Sequence, residues 1–105
     1  MIALQAPLNA LADPTRQRIV ELLASGALSS GEIAGRFSLS APAISQHLKT
    51  LKQARLVTVR AEKQKRIYAL DPAGLGEIAD WLDRIRSVWN PRLDALEAAL
   101  KKGDA

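Results

Sequence analysis

Residues 40 to 54 have the sequence SAPAISQHLKTLKQA, and this stretch decides the fold. Ser40 is a residue type that caps helix N-termini well, and Pro42 fits the first turn of a helix, where no backbone donor is needed. The apolar residues recur at i, i+4 and i+7, as Ile44, Leu48 and Leu51. This is the spacing of one buried helix face. We therefore predict a helix over residues 40 to 54 that packs into a core along one side.

The opposite side of this helix is polar and carries no negative charge. Its outward residues are Ser45, Gln46, Lys49, Lys52 and Gln53. No carboxylate occurs from residue 40 to residue 56, which is unusual for an ordinary surface helix. Amides, hydroxyls and amines suit the base edges and phosphates of a DNA major groove. We predict that Ser45 and Gln46 contact bases and that Lys49 contacts a phosphate, with simple exposed polarity as the alternative.

A short helix precedes this one at close range. Ser29 and Glu32 stand three apart, as a capping box requires. The apolar side that follows consists of Ile33, Ala34 and Phe37. We predict a helix over about residues 30 to 37, separated from Ser40 only by residues 38 and 39. Two helices that meet across so short a turn form a helix-turn-helix.

Two further helices are predicted upstream. Asp13-Pro14 is a helix-start pair, and Ser25-Gly26 ends the apolar run that follows it, so we predict a helix from about Pro14 to Ala24. Its apolar stripe consists of Ile19, Val20, Leu22 and Leu23. A short first helix near Pro7 is indicated by Leu4, Leu8 and Leu11.

Downstream of the helix-turn-helix the pattern changes to strands. Residues 57 to 60 and 66 to 70 are rich in Val, Ile and Tyr, and the polar stretch 61 to 65 between them predicts the turn of a hairpin. The turn has no Gly, so its type stays open. The hairpin carries the cations Arg60, Lys63, Lys65 and Arg66, opposed only by Glu62. We predict that it lies along a phosphate backbone or an adjacent minor groove.

A long helical pattern starts at Asp71-Pro72. Its apolar stripe consists of Leu75, Ile78, Ala79, Leu82, Ile85 and Trp89. Asn90-Pro91 interrupts the pattern, so Leu93, Leu96 and Leu100 belong either to a second segment or to a kinked continuation. Trp81 and Trp89 are eight apart. They fit the core of a dimer better than the lining of an effector pocket.

Composition limits the kinds of function. The chain has 105 residues, 48% of them hydrophobic, which suits one domain whose small core a second copy could complete. The net charge is +4, yet residues 41 to 70 hold seven Lys and Arg against one acidic residue. This basic middle indicates a polyanion as partner, with a merely solvated face as the alternative. Residues 1 to 12 lack the basic and then apolar pattern of a signal peptide, so we expect a cytoplasmic protein.

Catalytic and metal chemistry are disfavoured. The chain has no Cys and a single His, His47, so no nucleophile, base and orienting group can be assembled. We expect no enzyme activity, no cofactor and no metal site. The acidic residues of the C-terminal helix are spread over several faces, as on a solvated surface. His47 is either a DNA contact, an orienting hydrogen-bond partner, or a satisfied histidine at a helix junction.

Two separate motifs resemble the ArsR/SmtB family of bacterial winged-helix repressors. The first is LADPTR at residues 11 to 16, followed by RIVELL at 18 to 23. The second is LS at 39 to 40 with PAISQHL at 42 to 48, followed by Leu51, Ala54, Leu56 and Val57. Tyr68 and Leu70 fit the end of the family's hairpin, called the wing. The resemblance covers about residues 8 to 72, and the C-terminal helix matches only in character.

The resemblance implies a mainly α fold with a small β-hairpin, in the order α-α-α-α-β-β-α, the winged helix-turn-helix. It also implies a homodimeric repressor that binds an inverted-repeat operator and is released by an inducer. The first and last helices, residues 1–12 and 72–102, would form the interface. The implied DNA contacts are Ser40, Ala41, Ser45, Gln46, His47, Lys49, Thr50, Arg60, Lys63, Lys65 and Arg66. A protein-interaction module that does not bind specific DNA is the alternative.

The chain departs from the family pattern at two points. Members commonly have Gly where this chain has Arg55, at a position that favours a left-handed backbone, so Arg55 is expected to cost about 1 kcal/mol. The metal-sensing branches use Cys pairs, or His and carboxylate sets on the last helix. This chain has no Cys and no His after His47, so the resemblance implies a member without a metal sensor.

Overall fold

The computed structural model of the protein describes residues 4–103. Five helices and three strands follow one another in the order α1 (Gln5–Ala10), α2 (Pro14–Leu23), β1 (Leu28–Ser29), α3 (Ser30–Ala34), α4 (Ala41–Gln53), β2 (Val57–Glu62), β3 (Lys65–Leu70) and α5 (Pro72–Gly103). The predicted mainly α fold with a β-hairpin is confirmed, and the predicted two-stranded hairpin is extended by one short strand.

Local capping explains where the helices begin. The carboxylate of Asp13 accepts from the backbone N–H of Arg16 at 3.1 Å at the start of α2. Ser29 and Glu32 form both hydrogen bonds of a capping box at the start of α3. Ser40 Oγ accepts from the N–H of Ala43 at 3.3 Å and caps α4. Each cap fixes a helix start within three residues of chain, which is why the sequence predicted these starts correctly.

The core lies where α2, α3, α4 and the sheet meet. Its fully buried side chains are Ile19, Ile33, Ile44, Leu48, Leu51, Leu56 and Val57. Three of them are the stripe predicted for α4. Burying side chains of this kind contributes roughly 1.5–3 kcal/mol each. The apolar stripe therefore holds α4 against the body and leaves its polar side in solvent.

The sheet has the strand order β1-β3-β2, and both pairings are antiparallel. The sequence analysis missed β1, because two residues are too short to show a strand period. The hairpin is longer than predicted, and its turn is shorter, since residues 61, 62 and 65 lie in strands and only Lys63 and Gln64 connect them. Lys63 has φ 58°. This φ lies in the left-handed region that favours glycine, and here a lysine adopts it.

Two helix predictions need correction. Helix α3 ends at Ala34 rather than residue 37. Gly35 is its C-cap, and the N–H groups of Arg36 and Phe37 then donate to carbonyls three residues back, which form turns rather than a further α-helix. Helix α5 is continuous from Pro72 to Gly103 with Pro91 inside it, so the separate second segment is wrong. Pro91 removes one helical hydrogen bond, and the carbonyl that loses its partner is on an exposed stretch where water can bond to it. A kink at this position stays a prediction.

Although α5 has 32 residues, no helix within residues 4–103 combines the length and apolar character that crossing a membrane requires.

The chain between α4 and β2 forms a tight C-terminal cap. The N–H of Arg55 donates to the carbonyl of Lys52, and the N–H of Leu56 donates to that of Leu51, both at 3.0 Å. These two bonds define a Schellman motif, with Arg55 in the left-handed conformation at φ 63°. The left-handed backbone expected at Arg55 is thus confirmed.

Helix α5 begins directly against this cap. The N–H of Gly74 donates to the carbonyl of Arg55 at 2.8 Å, and the N–H of Asp71 donates to that of Leu56 at 2.9 Å. A Cβ on residue 74 would lie 2.8 Å from the carbonyl carbon of Arg55 and 3.0 Å from the carbonyl oxygen of Ala54. Only glycine allows this close approach of two backbones.

Gly74→Ala should destabilise the fold by about 2 kcal/mol, because overpacking against rigid backbone forces α5 away from the turn. Gly76→Ala is the matched control, since a Cβ there meets nothing within 4 Å. The control should gain up to about 1 kcal/mol from helix propensity. Urea unfolding curves, from their midpoints and slopes, give the change in the free energy of unfolding for each variant. Equal midpoints for the two variants would show that the contact with Arg55 is unimportant.

Candidate nucleic-acid interface

The polar side of α4 borders a groove. Ser45, Gln46 and Lys49, which we call the contact face, are all exposed. The groove has a volume of ≈ 530 Å³ and runs between α4 and the hairpin. Its walls include Lys52 beside the contact face and Val59, Arg66 and Tyr68 on the strands. The structure thus brings the predicted base-contacting residues and one cation of the hairpin to a single concave surface.

The remaining α4 residues predicted to contact DNA have other local roles as well. Ser40 caps the helix through Oγ, and the hydroxyl of Thr50 donates to the carbonyl of Gln46 at 3.1 Å. Ala41 is exposed in the first turn. Ser40 and Ala41 are therefore at the end of α4 that precedes the contact face, whereas Thr50 lies beyond it.

The hairpin, which we call the wing, presents its cations on two different faces. Ala61 pairs with Arg66 and Val59 pairs with Tyr68, so these four residues share the face that borders the groove. Alternation along each strand places Arg60 and Lys65 on the opposite face. Only Arg66 of the four predicted cations lines the groove, and Lys63 lies at the turn between the strands.

The face of the wing turned away from the groove is partly neutralised. Arg60 Nη2 lies 3.1 Å from Glu62 Oε2, an exposed ion pair. The backbone N–H of Ser29 donates to the Glu32 carboxylate and lowers the pKa of that carboxyl below its usual 4.5, aided by the Ser29 hydroxyl, Lys65 and Arg36. Lys65 is therefore close enough to α3 to interact electrostatically with the Glu32 carboxylate.

His47 lies at the junction of α2 and α4. Its Nδ1 is 3.2 Å from Nη1 of Arg16 and 3.9 Å from Oδ2 of Asp13, and its side chain is 22% exposed. The structure therefore places its side chain beside α2, and His47 is not among the residues that line the groove. A direct DNA contact by His47 stays a prediction. In the described part of the chain, no three His, Asp or Glu side chains come together to hold a metal ion.

The sequence analysis left Lys52 and Tyr68 out of the predicted site. The helical period had already placed Lys52 with Lys49 on the polar side of α4, so the sequence carried the signal for Lys52. Tyr68 follows Arg66 by two residues on a strand and therefore shares its face. Its place beside α4 depends on how the wing packs, which no local pattern reveals.

Comparison with known proteins gives consistent matches. Residues 13–59 match the family model described as "Bacterial regulatory protein, arsR family". The HTH-type transcriptional regulator Rv2034 of Mycobacterium tuberculosis is 55% identical over 76 residues, 72% of this chain and 71% of that protein. The transcriptional repressor SdpR of Bacillus subtilis is 38% identical over 74 residues, 70% of this chain and 82% of that protein.

A solved structure is also similar to this chain over most of its length. It is described as a possible transcriptional regulator for arsenical resistance and is 43% identical to this chain. The TM-score is 0.71, and the match covers 88% of this chain and 93% of the other. Coverage this broad includes much of α5, beyond the residues that the family model matches.

Arg66→Ala should weaken binding to duplex DNA and flatten its salt dependence, because each phosphate contact contributes about 0.9 to the log–log slope. Arg18→Ala removes the same charge from α2, where Arg18 lies over the Phe37 ring and does not line the groove, and serves as the control. Fluorescence anisotropy titrations between 50 and 200 mM salt, roughly the range over which such contacts are screened, measure the slope. Equal slopes for the two variants would show that Arg66 does not contact a DNA phosphate.

Proposed function

Because the chain belongs to the arsR family of bacterial regulatory proteins, which are DNA-binding transcriptional regulators, we propose that it binds an inverted-repeat operator as a homodimer and represses transcription. The observation that carries this proposal is the groove between α4 and the wing, lined by the contact face and Arg66. A surface of this kind offers hydrogen-bond donors and acceptors to base edges and positive charge to the backbone.

In this proposal α4 lies in the major groove. A recognition helix contacts bases mainly through its N-terminal half. Gln46 presents an amide that can bond to both edge atoms of an adenine, and Ser45 can donate to several bases. Lys49 and Lys52, one and two turns further along, are placed for phosphates. The exposed Ser40 and Ala41 lie close to the backbone at the N-terminal end of α4.

The two faces of the wing then have different tasks. Arg66 faces α4 across the groove and is placed to contact the same stretch of backbone that α4 approaches. Lys63, at the tip, is placed to reach the adjacent minor groove. Arg60 and Lys65 are on the other face, where Arg60 forms an exposed ion pair with Glu62. We propose that these two cations contribute less to DNA affinity than Arg66.

Dimerisation is supported by the exposed part of α5. Every residue from 82 to 103 is exposed. The large apolar residues on this stretch are Leu82, Ile85, Val88, Trp89, Leu93, Leu96 and Leu100, each at least 41% exposed. All of them except Val88 lie on one side of the helix at coiled-coil-like intervals. A soluble monomer rarely leaves so long an apolar stripe in water, so a second copy is the proposed cover.

Helix α1 completes the proposed dimer unit. It packs against both α4 and α5, and Leu8 on it is exposed. The proposed interface therefore comprises residues 1–12 and 72–102, of which residues 1–3 lie outside the described range. Pairing would space two α4 helices near one turn of DNA, roughly 34 Å apart. We place the dimer in the cytoplasm, where an operator is accessible, and assign it binding rather than catalysis.

Selection of the wild-type protein on random duplexes should yield an inverted repeat. On the selected site, Gln46→Ala should relax preference at one base pair of each half-site, because a bidentate amide contact contributes about 1–3 kcal/mol of discrimination. Gln53→Ala is the control, since it makes the same change on the same side of α4 two turns further along. A wild-type protein that selects no sequence would instead favour a protein-interaction module.

Leu93→Glu should convert the dimer to a monomer, because a carboxylate would be buried in the middle of the apolar stripe. Ser87→Glu places the same charge on the opposite side of α5 and should leave the dimer intact. Sedimentation velocity measures the mass, and operator titration should show a steep loss of affinity only for Leu93→Glu. A Leu93→Glu protein that stays dimeric would place the interface elsewhere.

A further inference from the structure

Three segments of chain meet at the guanidinium of Arg16, in the first turn of α2. Its Nε donates to the carbonyl of Ala10, the last residue of α1, at 2.7 Å. Its Nη1 lies 3.2 Å from Nδ1 of His47, in the middle of α4. The backbone of Arg16 is itself held by the helix cap at Asp13, at 3.1 Å. One partly buried side chain therefore joins α1 to α4.

The chemistry of this contact determines which ring nitrogen of His47 carries the proton. A guanidinium has only donors, so Nδ1 of His47 accepts and carries no proton. The ring proton is then on Nε2, and that group is a donor. Oδ2 of Asp13 is 3.9 Å from the same Nδ1, beyond hydrogen-bond distance, so it does not compete for the position. Arg16 thereby selects one tautomer of His47.

The bond to His47 supplies a constraint that the core lacks. The stripe of Ile44, Leu48 and Leu51 buries α4, but apolar contacts are non-directional. A hydrogen bond has a preferred angle and length, so it limits rotation of α4 about its own axis. His47 directly follows Gln46 in the chain, and any rotation at His47 moves the contact face by the same angle.

We propose that Arg16 is a positioning residue for operator binding. By tying the C-terminal carbonyl of α1 to His47, it fixes the contact face of α4 relative to α1 and α5, the two helices assigned to the dimer. This inference rests on the proposed function, because the spacing of two contact faces matters only to a dimer on a two-part site. Arg16 acts through His47 and Ala10 and is not itself assigned a contact to DNA.

The test is a double-mutant cycle with matched controls in the full chain. Arg16→Gln and His47→Ala each remove one partner, and the double variant removes both. His47→Asn keeps an acceptor near the position of Nδ1. Arg18→Gln is the charge-matched control, because Arg18 lies two residues further along α2 and stacks on the Phe37 ring with its Cζ 4.6 Å from the centroid. Affinity is measured for the selected operator and for a scrambled duplex.

Arg16→Gln and His47→Ala should each lower operator affinity by about tenfold, and the double variant should be no weaker than either, as expected for residues that act through one contact. Affinity for the scrambled duplex should fall no more than in Arg18→Gln. His47→Asn should retain most of the operator affinity. If Arg16→Gln does not fold, Arg16→Lys takes its place in the cycle, because lysine keeps the charge but lacks the fork that contacts Ala10 and His47 together.

The ¹⁵N shifts of the His47 ring give a readout that a purely structural role of Arg16 would not change. The wild type and Arg18→Gln should show the Nε2–H tautomer, and Arg16→Gln should show a mixture. Additive losses in the cycle, or an Arg16→Gln protein that binds like Arg18→Gln, would overturn the inference while leaving operator binding intact. A wild type without sequence preference would overturn the proposed function and the inference together.

Discussion

The turn that follows α4 is the constraint on which the other parts of the molecule depend. The carbonyls of Arg55 and Leu56 in this turn accept hydrogen bonds from the N–H groups of Gly74 and Asp71 at 2.8 and 2.9 Å. These two hydrogen bonds tie the start of α5 to the turn that connects the end of α4 with the first strand of the wing. Backbone contacts this close are stiff, so the C-terminal end of α4, the start of the wing and the start of α5 hold fixed relative positions.

Arg55 shows how this constraint is met in an atypical way. Its left-handed conformation at φ 63° would be free of strain for glycine, and its side chain lies only 3.8 Å from Glu77 in an exposed pair. Such a pair contributes little to stability. The strain is instead offset by the Schellman bonds and by the buried Leu51 and Leu56 that accompany them. The cap therefore keeps its geometry without the residue that usually provides it.

Charge acts through the geometry of the wing rather than through its total. The sequence places four cations in one short hairpin. Because side chains alternate along each strand, Arg66 lines the groove, whereas Arg60 and Lys65 lie on the opposite face. On that other face, Glu62 forms an exposed ion pair with Arg60. A net positive charge attracts DNA from a distance, whereas binding at one site requires cations on the face that meets the backbone.

The sequence by itself determined the helix starts and the buried side of α4, because a cap such as Ser40 acts within three residues and a helical stripe repeats within two turns. Its spacing also identified the helix-turn-helix and the polar side of α4 that is proposed to contact DNA. Only the tertiary structure decided the pairing of β1 with β3, the continuity of α5 through Pro91 and the contact of His47 with Arg16. Those features depend on residues far apart in the chain, or on the solvent exposure of one helix, and neither is visible in a local pattern.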